Sequence, residues 1–222
     1  MKTQTNSRKY EGQCKFCKQD FAKRQIIDHL DSCEKRKGDK NIKNLRLEIF
    51  DPNMKNFWLI VEINNQATFR NLDTLIRDVW VECCGHLSRF SNFRSEVGKG
   101  KIIMNTLNIG DNIDYVYDFG SSTELVIETL GYSDCQLSDK KKIELVARNY
   151  LPPSNCAKCS QPATRICAVC AEEGLGLACD KCAERYHNEE KKNEEHFLLL
   201  LANSPRSGVC GYEPEEPLDK LF

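Results

Sequence analysis

The sequence predicts an α+β protein: an antiparallel or mixed sheet with one main helix in the middle of the chain, flanked by small zinc-binding modules. Three observations lead there. Several middle segments alternate apolar and polar residues at the two-residue period of strands, and one stretch repeats at helical spacing. The 13 cysteines gather mainly in two clusters either side of that middle, and three of the 4 histidines lie inside the clusters. At 222 residues, 40% hydrophobic and 29% charged, the chain is long enough for one good core with satellites. That composition disfavours a fully disordered chain and a membrane protein, and no run approaches the ~18 apolar residues of a membrane span.

Taken in order, residues 1–36 form the first unit. Cys14, Cys17, His29 and Cys33 are spaced C-x2-C-x11-H-x3-C. Residues 23–33 read as a helix that places His29 and Cys33 one turn apart on one face. Phe16, Phe21, Ile26, Ile27 and Leu30 supply a miniature core. The surrounding residues Lys15, Lys18, Lys23, Arg24, Lys35, Arg36, Lys37, Lys40 and Lys43 are basic, and residues 1–46 hold 13 Lys and Arg against 6 Asp and Glu. Such a patch suits phosphates, so nucleic acid is an expected alternative partner through residues 8–46.

Residues 44–150 read as the α+β domain. Leu45, Leu47 and Ile49 alternate with Arg46 and Glu48 as a half-buried strand, and a turn at 51–53 returns the chain into a second strand over 57–63. Thr68 or Asn71 caps a helix carrying Leu72, Leu75, Ile76, Val79 and Trp80. Residues 86–93 read as extended and 97–101 as a loop. Ile113, Tyr115, Tyr117 and Phe119 share one face of a strand, Leu125, Ile127 and Thr129 follow as its partner, and residues 142–149 form the last strand. Pro152 and Pro153 mark the boundary.

The last unit, 154–200, holds Cys156, Cys159, Cys167, Cys170, Cys179, Cys182, His187 and His196. The alternating pairs predict a cross-brace: Cys156, Cys159, Cys179 and Cys182 on one ion, Cys167, Cys170, His187 and His196 on the other. Cys210 is an alternative to His196 as the final ligand. An acidic tail, 201–222, contains Tyr212, Leu218 and Phe222 as a docking peptide or a clamp on the protein itself. A chain with no secretory signal is expected in the cytoplasm, where so many thiols point to metal and not disulfides. Tetrahedral zinc accepts these sulfur and nitrogen sets, and four protein ligands leave no open position for water. Three zinc ions are expected.

The remaining cysteines carry less. Cys83 and Cys84 end a helical pattern among apolar residues and read as small buried hydrophobes. His86 lies close to Cys84 but lacks a third partner, which argues against a nucleophile. His86 is expected to bond backbone, and Asp118 to act as a turn acceptor. Gly98-Lys99-Gly100-Lys101 lacks the spacing of a phosphate loop.

Three resemblances sharpen this reading. Cys14 to Cys33 resembles the two-cysteine, two-histidine fingers, with a final Cys in place of His. Residues 156–196 resemble a B-box, a double-zinc module that implies protein interaction. Within 44–150, Leu45-Arg46-Leu47-Glu48-Ile49, Thr68-Phe69, Leu72, Leu75-Ile76, Trp80, His86-Leu87, Phe90 and Asp114-Tyr115-Val116-Tyr117-Asp118-Phe119-Gly120 resemble the Ri-plasmid ORF-3-like family (transposon-element passenger proteins) over about 100 residues. That resemblance implies a β-grasp-like connectivity and says little of activity. The family's acidic, Trp and His residues after this glycine are replaced here by Ser121-Ser122-Thr123-Glu124-Leu125. The expected function is therefore a non-enzymatic adaptor that binds protein partners, with no membrane and no small-molecule substrate.

Overall fold

The computed structural model describes residues 11–39, 41–93, 95–138, 141–171, 173–187 and 196–213. Arg8, Lys9, Lys40, the stretch 188–195 between the last histidines, and Leu218 and Phe222 lie outside the described residues. The fold is α+β, with a large antiparallel sheet and a few helices. A hairpin of β1 (Glu11–Cys14) and β2 (Asp20–Ala22) leads into α1 (Lys23–Ser32). Then come β3 (Asn44–Phe50), β4 (Trp58–Ile63), α2 (Phe69–Ile76), β5 (Ser88–Ser91), β6 (Glu96–Val97), β7 (Asn112–Tyr117), β8 (Thr123–Ser133) and β9 (Ile143–Asn149). These strands form one nine-stranded sheet in the order β2-β1-β9-β4-β3-β8-β7-β5-β6.

Local chemistry explains the elements. The Asp51 carboxylate accepts from the amides of Asn53 and Met54 at 2.7 Å each, which turns β3 back into β4. Thr68 caps α2: its hydroxyl accepts from the Asn71 amide, and the Asn71 side chain accepts from the Thr68 amide. The expected helix runs on past α2 as a π-helical turn over Arg77–Val81. Its wider winding delivers the chain directly to Cys83 and Cys84.

One face of the sheet packs Leu45, Leu47, Ile49, Val61 and Ile127 against Phe69, Leu72, Ile76 and Trp80. The opposite face was expected to meet solvent. Instead Ile26 and Leu30 of α1 pack there on Trp58, Ile60 and Val146, so Arg46 and Glu48 are buried. The first unit is thus continuous with the sheet. Gly12 of β1 lies so close to β9 that an added Cβ would sit 2.2 Å from the Arg148 carbonyl oxygen and 2.5 Å from the Trp58 ring. Only glycine permits that approach. Buried charges on this face are paired: Glu62 takes Arg36 and Arg46, Glu144 takes Lys15, and Glu48 takes Lys23.

One expectation fails here for an identifiable reason. Phe119 does not share the buried face of Tyr115 and Tyr117; it is 52% exposed. Asp118 adopts the left-handed region at φ +64, which breaks the two-residue alternation. The stretch 86–93, expected to be extended, carries β5 (Ser88–Ser91), which starts three residues after the turn at Gly85, φ +82.

Asp73 of α2 ties the helix to the sheet. Its carboxylate accepts from the Tyr115 hydroxyl at 2.9 Å, Ser88 at 2.6 Å and Lys99 at 2.8 Å. Burial alone would raise its pKa; the three donors outweigh it and hold the group below the usual carboxylate value. A depressed folded pKa contributes stability above the unfolded value of about 4, lost as pH falls through the folded pKa. Asp73→Asn is expected to lower stability by ~1–3 kcal/mol at pH 7, with the deficit shrinking below about pH 4. Urea midpoints at pH 7 and pH 3 measure both.

Candidate metal centres

The first centre is built by β1, the turn after it, and α1. Cys14 ends β1; its amide donates to the Gln19 carbonyl and its own carbonyl accepts from the Lys18 amide, both at 3.0 Å. Lys18 sits at φ +61 to close that turn. His29 projects from α1 and stacks on Phe21, with centroids 4.1 Å apart, which fixes the ring. Cys14 Sγ lies 4.0 Å from Cys33 Sγ, and Cys17 Sγ 3.2 Å from His29 Nε2. Burial pushes the Cys14 thiol up to about 11 against the amides of Cys17 and Phe16, so a metal ion taken here displaces a proton.

The C-terminal unit is a three-stranded sheet, β11-β10-β12, with two short helices. Its elements are β10 (Arg165–Cys167), α3 (Ala168–Ala171), β11 (Leu177–Ala178), α4 (Asp180–Tyr186) and β12 (Leu198–Leu200). The turn at Cys156 repeats the one at Cys14: the Cys156 amide donates to Gln161, and the Ser160 amide, at φ +59, donates back to Cys156. Burial works against a Cys156 thiolate, yet the amides of Cys179, Lys158 and Cys159 outweigh it and bring the group down to about 6. Cys159 Sγ stands 3.6 Å from both Cys179 Sγ and Cys182 Sγ. In the second group Cys170 Sγ is 3.5 Å from Nδ1 of both His187 and His196, and Cys167 Sγ is 3.7 Å from His196 Nδ1.

Among the described residues, four groups of Cys and His bring their ligand atoms within 4.8 Å of one another. They are Cys14, Cys17, His29, Cys33; Cys156, Cys159, Cys179, Cys182; Cys167, Cys170, His187, His196; and Cys83, Cys84, His86, Cys210. The first three bring together the twelve residues singled out by spacing, in the alternating pairs expected. The fourth was missed. Cys83 and Cys84 are not buried hydrophobes, since Cys84 is exposed and Cys83 half-buried. His86 turns its ring to thiols, 3.0 Å from Cys84 Sγ, and not to backbone. Cys210 joins this group and leaves His196 with Cys167 and Cys170. The signal available in sequence was Cys-Cys-x-His; its fourth member is over a hundred residues away, where only the fold can place it. These donor sets suit zinc. The expected three sites fall one short of the four groups that the fold assembles.

His86 and Asp118 also meet, with Nε2 and Oδ2 3.4 Å apart. Asp118 accepts from Arg206 at 2.8 Å and from the Gly120 amide at 2.9 Å, as an acceptor at a turn does. No helix among the described residues is long and apolar enough to cross a membrane.

No family model and no curated protein matches this chain. Among solved structures it is similar to the protein of unknown function MM3350 from Methanosarcina mazei Go1, at 15% identity and a TM-score of 0.41, covering 48% of this chain and 69% of that one.

Proposed function

We propose that this chain is a zinc-stabilised, non-enzymatic adaptor: an α+β platform of Ri-plasmid ORF-3-like type and β-grasp-like connectivity, working in the cytoplasm and presenting a B-box-like module to protein partners. The observation that carries the reading is closure. Each of the three groups found by spacing supplies four protein donors, which completes a tetrahedron and leaves no vertex for a substrate or an activated water. Such ions hold shape, and the shaped surface does the work. The C-terminal module supports this with exposed apolar side chains at Val169, Leu175, Phe197 and Leu200.

Charge use favours protein over nucleic acid as the partner. Lys15, Lys23 and Arg36 are spent on Glu144, Glu48 and Glu62 inside the molecule, which leaves a thinner basic face than the sequence advertises. Lys18, Arg24, Lys35, Lys37 and Lys43 stay exposed, and the close pair Lys35 and Lys37 is what a phosphate backbone would be tested on first. The test combines elemental analysis of the full chain with fluorescence anisotropy on mixed-sequence RNA and DNA. At least three zinc ions per chain and no salt-dependent binding are expected. Binding that falls steeply with salt and weakens in a Lys35→Ser, Lys37→Ser variant would instead install the nucleic-acid reading. Fewer than three zinc ions would overturn the structural sites themselves.

A further inference from the structure

We propose that Cys83, Cys84, His86 and Cys210 form a fourth zinc site, and that this ion latches the segment after the C-terminal module onto the central domain. The distances fit one ion. A tetrahedron with Zn–S of about 2.3 Å and Zn–N of about 2.0 Å has S···S edges near ~3.8 Å and S···N edges near ~3.5 Å. Cys83 Sγ to Cys84 Sγ is 3.7 Å, Cys84 Sγ to Cys210 Sγ is 3.8 Å and Cys210 Sγ to His86 Nε2 is 3.7 Å. Cys84 Sγ to His86 Nε2, at 3.0 Å, is a shorter edge. In the three groups found by spacing the corresponding contacts include 3.2, 3.6 and 4.0 Å.

The loop holding three of the donors is built from below. The Tyr117 hydroxyl donates to Glu82 Oε1 at 3.0 Å and accepts from the His86 amide at 3.3 Å and the Cys83 amide at 3.4 Å. Glu82 Oε1 also accepts from the Gly85 amide at 2.6 Å. Gly85, at φ +82, reverses the chain between Cys84 and His86. Cys210 arrives from the other side in the left-handed region at φ +54, a conformation that a Cys seldom adopts without a reason. The fully buried Arg206 binds Asp118, Thr123 and the Ser121 carbonyl, and stacks over Tyr117 at 4.8 Å. Arg77 lies over Tyr117 at 5.2 Å.

A cysteine nucleophile is the competing use, and the geometry disfavours it. Cys84 Sγ and Asp118 Oδ2 both face the same imidazole nitrogen, Nε2. A relay needs the thiol on one ring nitrogen and the carboxylate on the other.

The latch has something to hold. After β12, residues 201–212 do not begin a free tail; they run back along the central domain. The Asn203 side chain exchanges hydrogen bonds with Asn149 at 2.8 Å. Ser204 donates to the Trp80 carbonyl at 2.6 Å, Gly208 packs on Ile166 of β10, and Tyr212 is buried. The bond from Cys210 to the 83–86 loop closes this strap at its end. With two exposed cysteines, this site is more open than the other three and should exchange its metal first.

The test is zinc stoichiometry of the full chain, purified under reductant without chelator, beside Cys84→Ser and Cys210→Ser. Four ions in the wild type and three in each variant, with unchanged far-UV circular dichroism, are expected. Differential alkylation keeps the test decisive should a variant misfold. In the intact protein, Cys84 and Cys210 should resist alkylation at least tenfold better after zinc loading than after chelation, despite their exposure. Protease cleavage within 201–212 should likewise quicken at least tenfold in Cys210→Ser. Three ions in the wild type, free-thiol alkylation rates at Cys84 and Cys210, or a Cys84–Cys210 disulfide in the zinc-loaded reduced protein would each overturn the site. All three outcomes leave the adaptor reading untouched, because that reading rests on the other centres.

Discussion

Cys182→Ser is expected to unfold the C-terminal module while the central domain stays folded. Among the described residues the module's apolar cluster is small: Cys156, Ala178, Cys182 and Ala183, with Cys179, Tyr186 and Leu198 packed against it. Two of those four buried residues are metal donors, and its strands are two or three residues long. So small a core cannot offset the entropy of ordering the chain. In such modules the ion carries the folding free energy, of order 10–16 kcal/mol for a structural zinc at neutral pH. A serine hydroxyl is a poor zinc donor, so one substitution is expected to remove most of that stabilisation. Limited proteolysis should cut the variant between 156 and 200 at a rate at least tenfold above wild type, with zinc content down by two, because both donor groups of the module lie in the unfolded stretch. Chelation of the wild type should reproduce the pattern. A variant that resists protease as well as the wild type does would mean that the module folds on side-chain packing alone.

Glu62→Ala is the second large effect, expected at ~3–5 kcal/mol of stability. Glu62 is fully buried in β4 and takes the Arg36 guanidinium in a fork. It also accepts from Arg46 Nε at 3.0 Å and Nη2 at 2.9 Å. Arg46 continues to Asp31 of α1 at 2.7 Å, and Arg36 donates to the Leu30 carbonyl at 2.8 Å. This network fastens the helix that carries His29 to the sheet. Removing the one carboxylate leaves two guanidinium groups in a dry interface, and that is far costlier than removing the whole network. Hence the comparison that matters is with a triple variant, Arg36→Met, Glu62→Leu and Arg46→Met, expected to be more stable than Glu62→Ala alone. Chemical denaturation followed by Trp58 and Trp80 fluorescence measures both. A loss below about 1 kcal/mol for Glu62→Ala would show the charges to be hydrated after all.

The same network shows what the sequence concealed. Alternation of Leu45, Leu47 and Ile49 with Arg46 and Glu48 is the pattern of a strand with one wet face. The strand is there, but its polar face is covered by α1, and the charges survive burial by pairing, Arg46 with Glu62 and Asp31 and Glu48 with Lys23. Pairing partners on another element are invisible to a local period. Basic residues counted as a possible nucleic-acid patch were, for the same reason, partly structural.

What the sequence determined by itself is local: the strand and helix periods between 44 and 150, the Thr68 cap, the turn at Asp51, and the spacing of three Cys and His groups. Each is written within a few turns of chain, where backbone geometry fixes which side chains share a face. The tertiary structure alone decided the burial of the second sheet face, the strap of residues 201–212, and the meeting of Cys83, Cys84 and His86 with Cys210. Those depend on contacts between residues distant in sequence, and Cys84 and Cys210 are 126 positions apart. No periodicity spans such a distance; the sheet order and the path of the chain across it do.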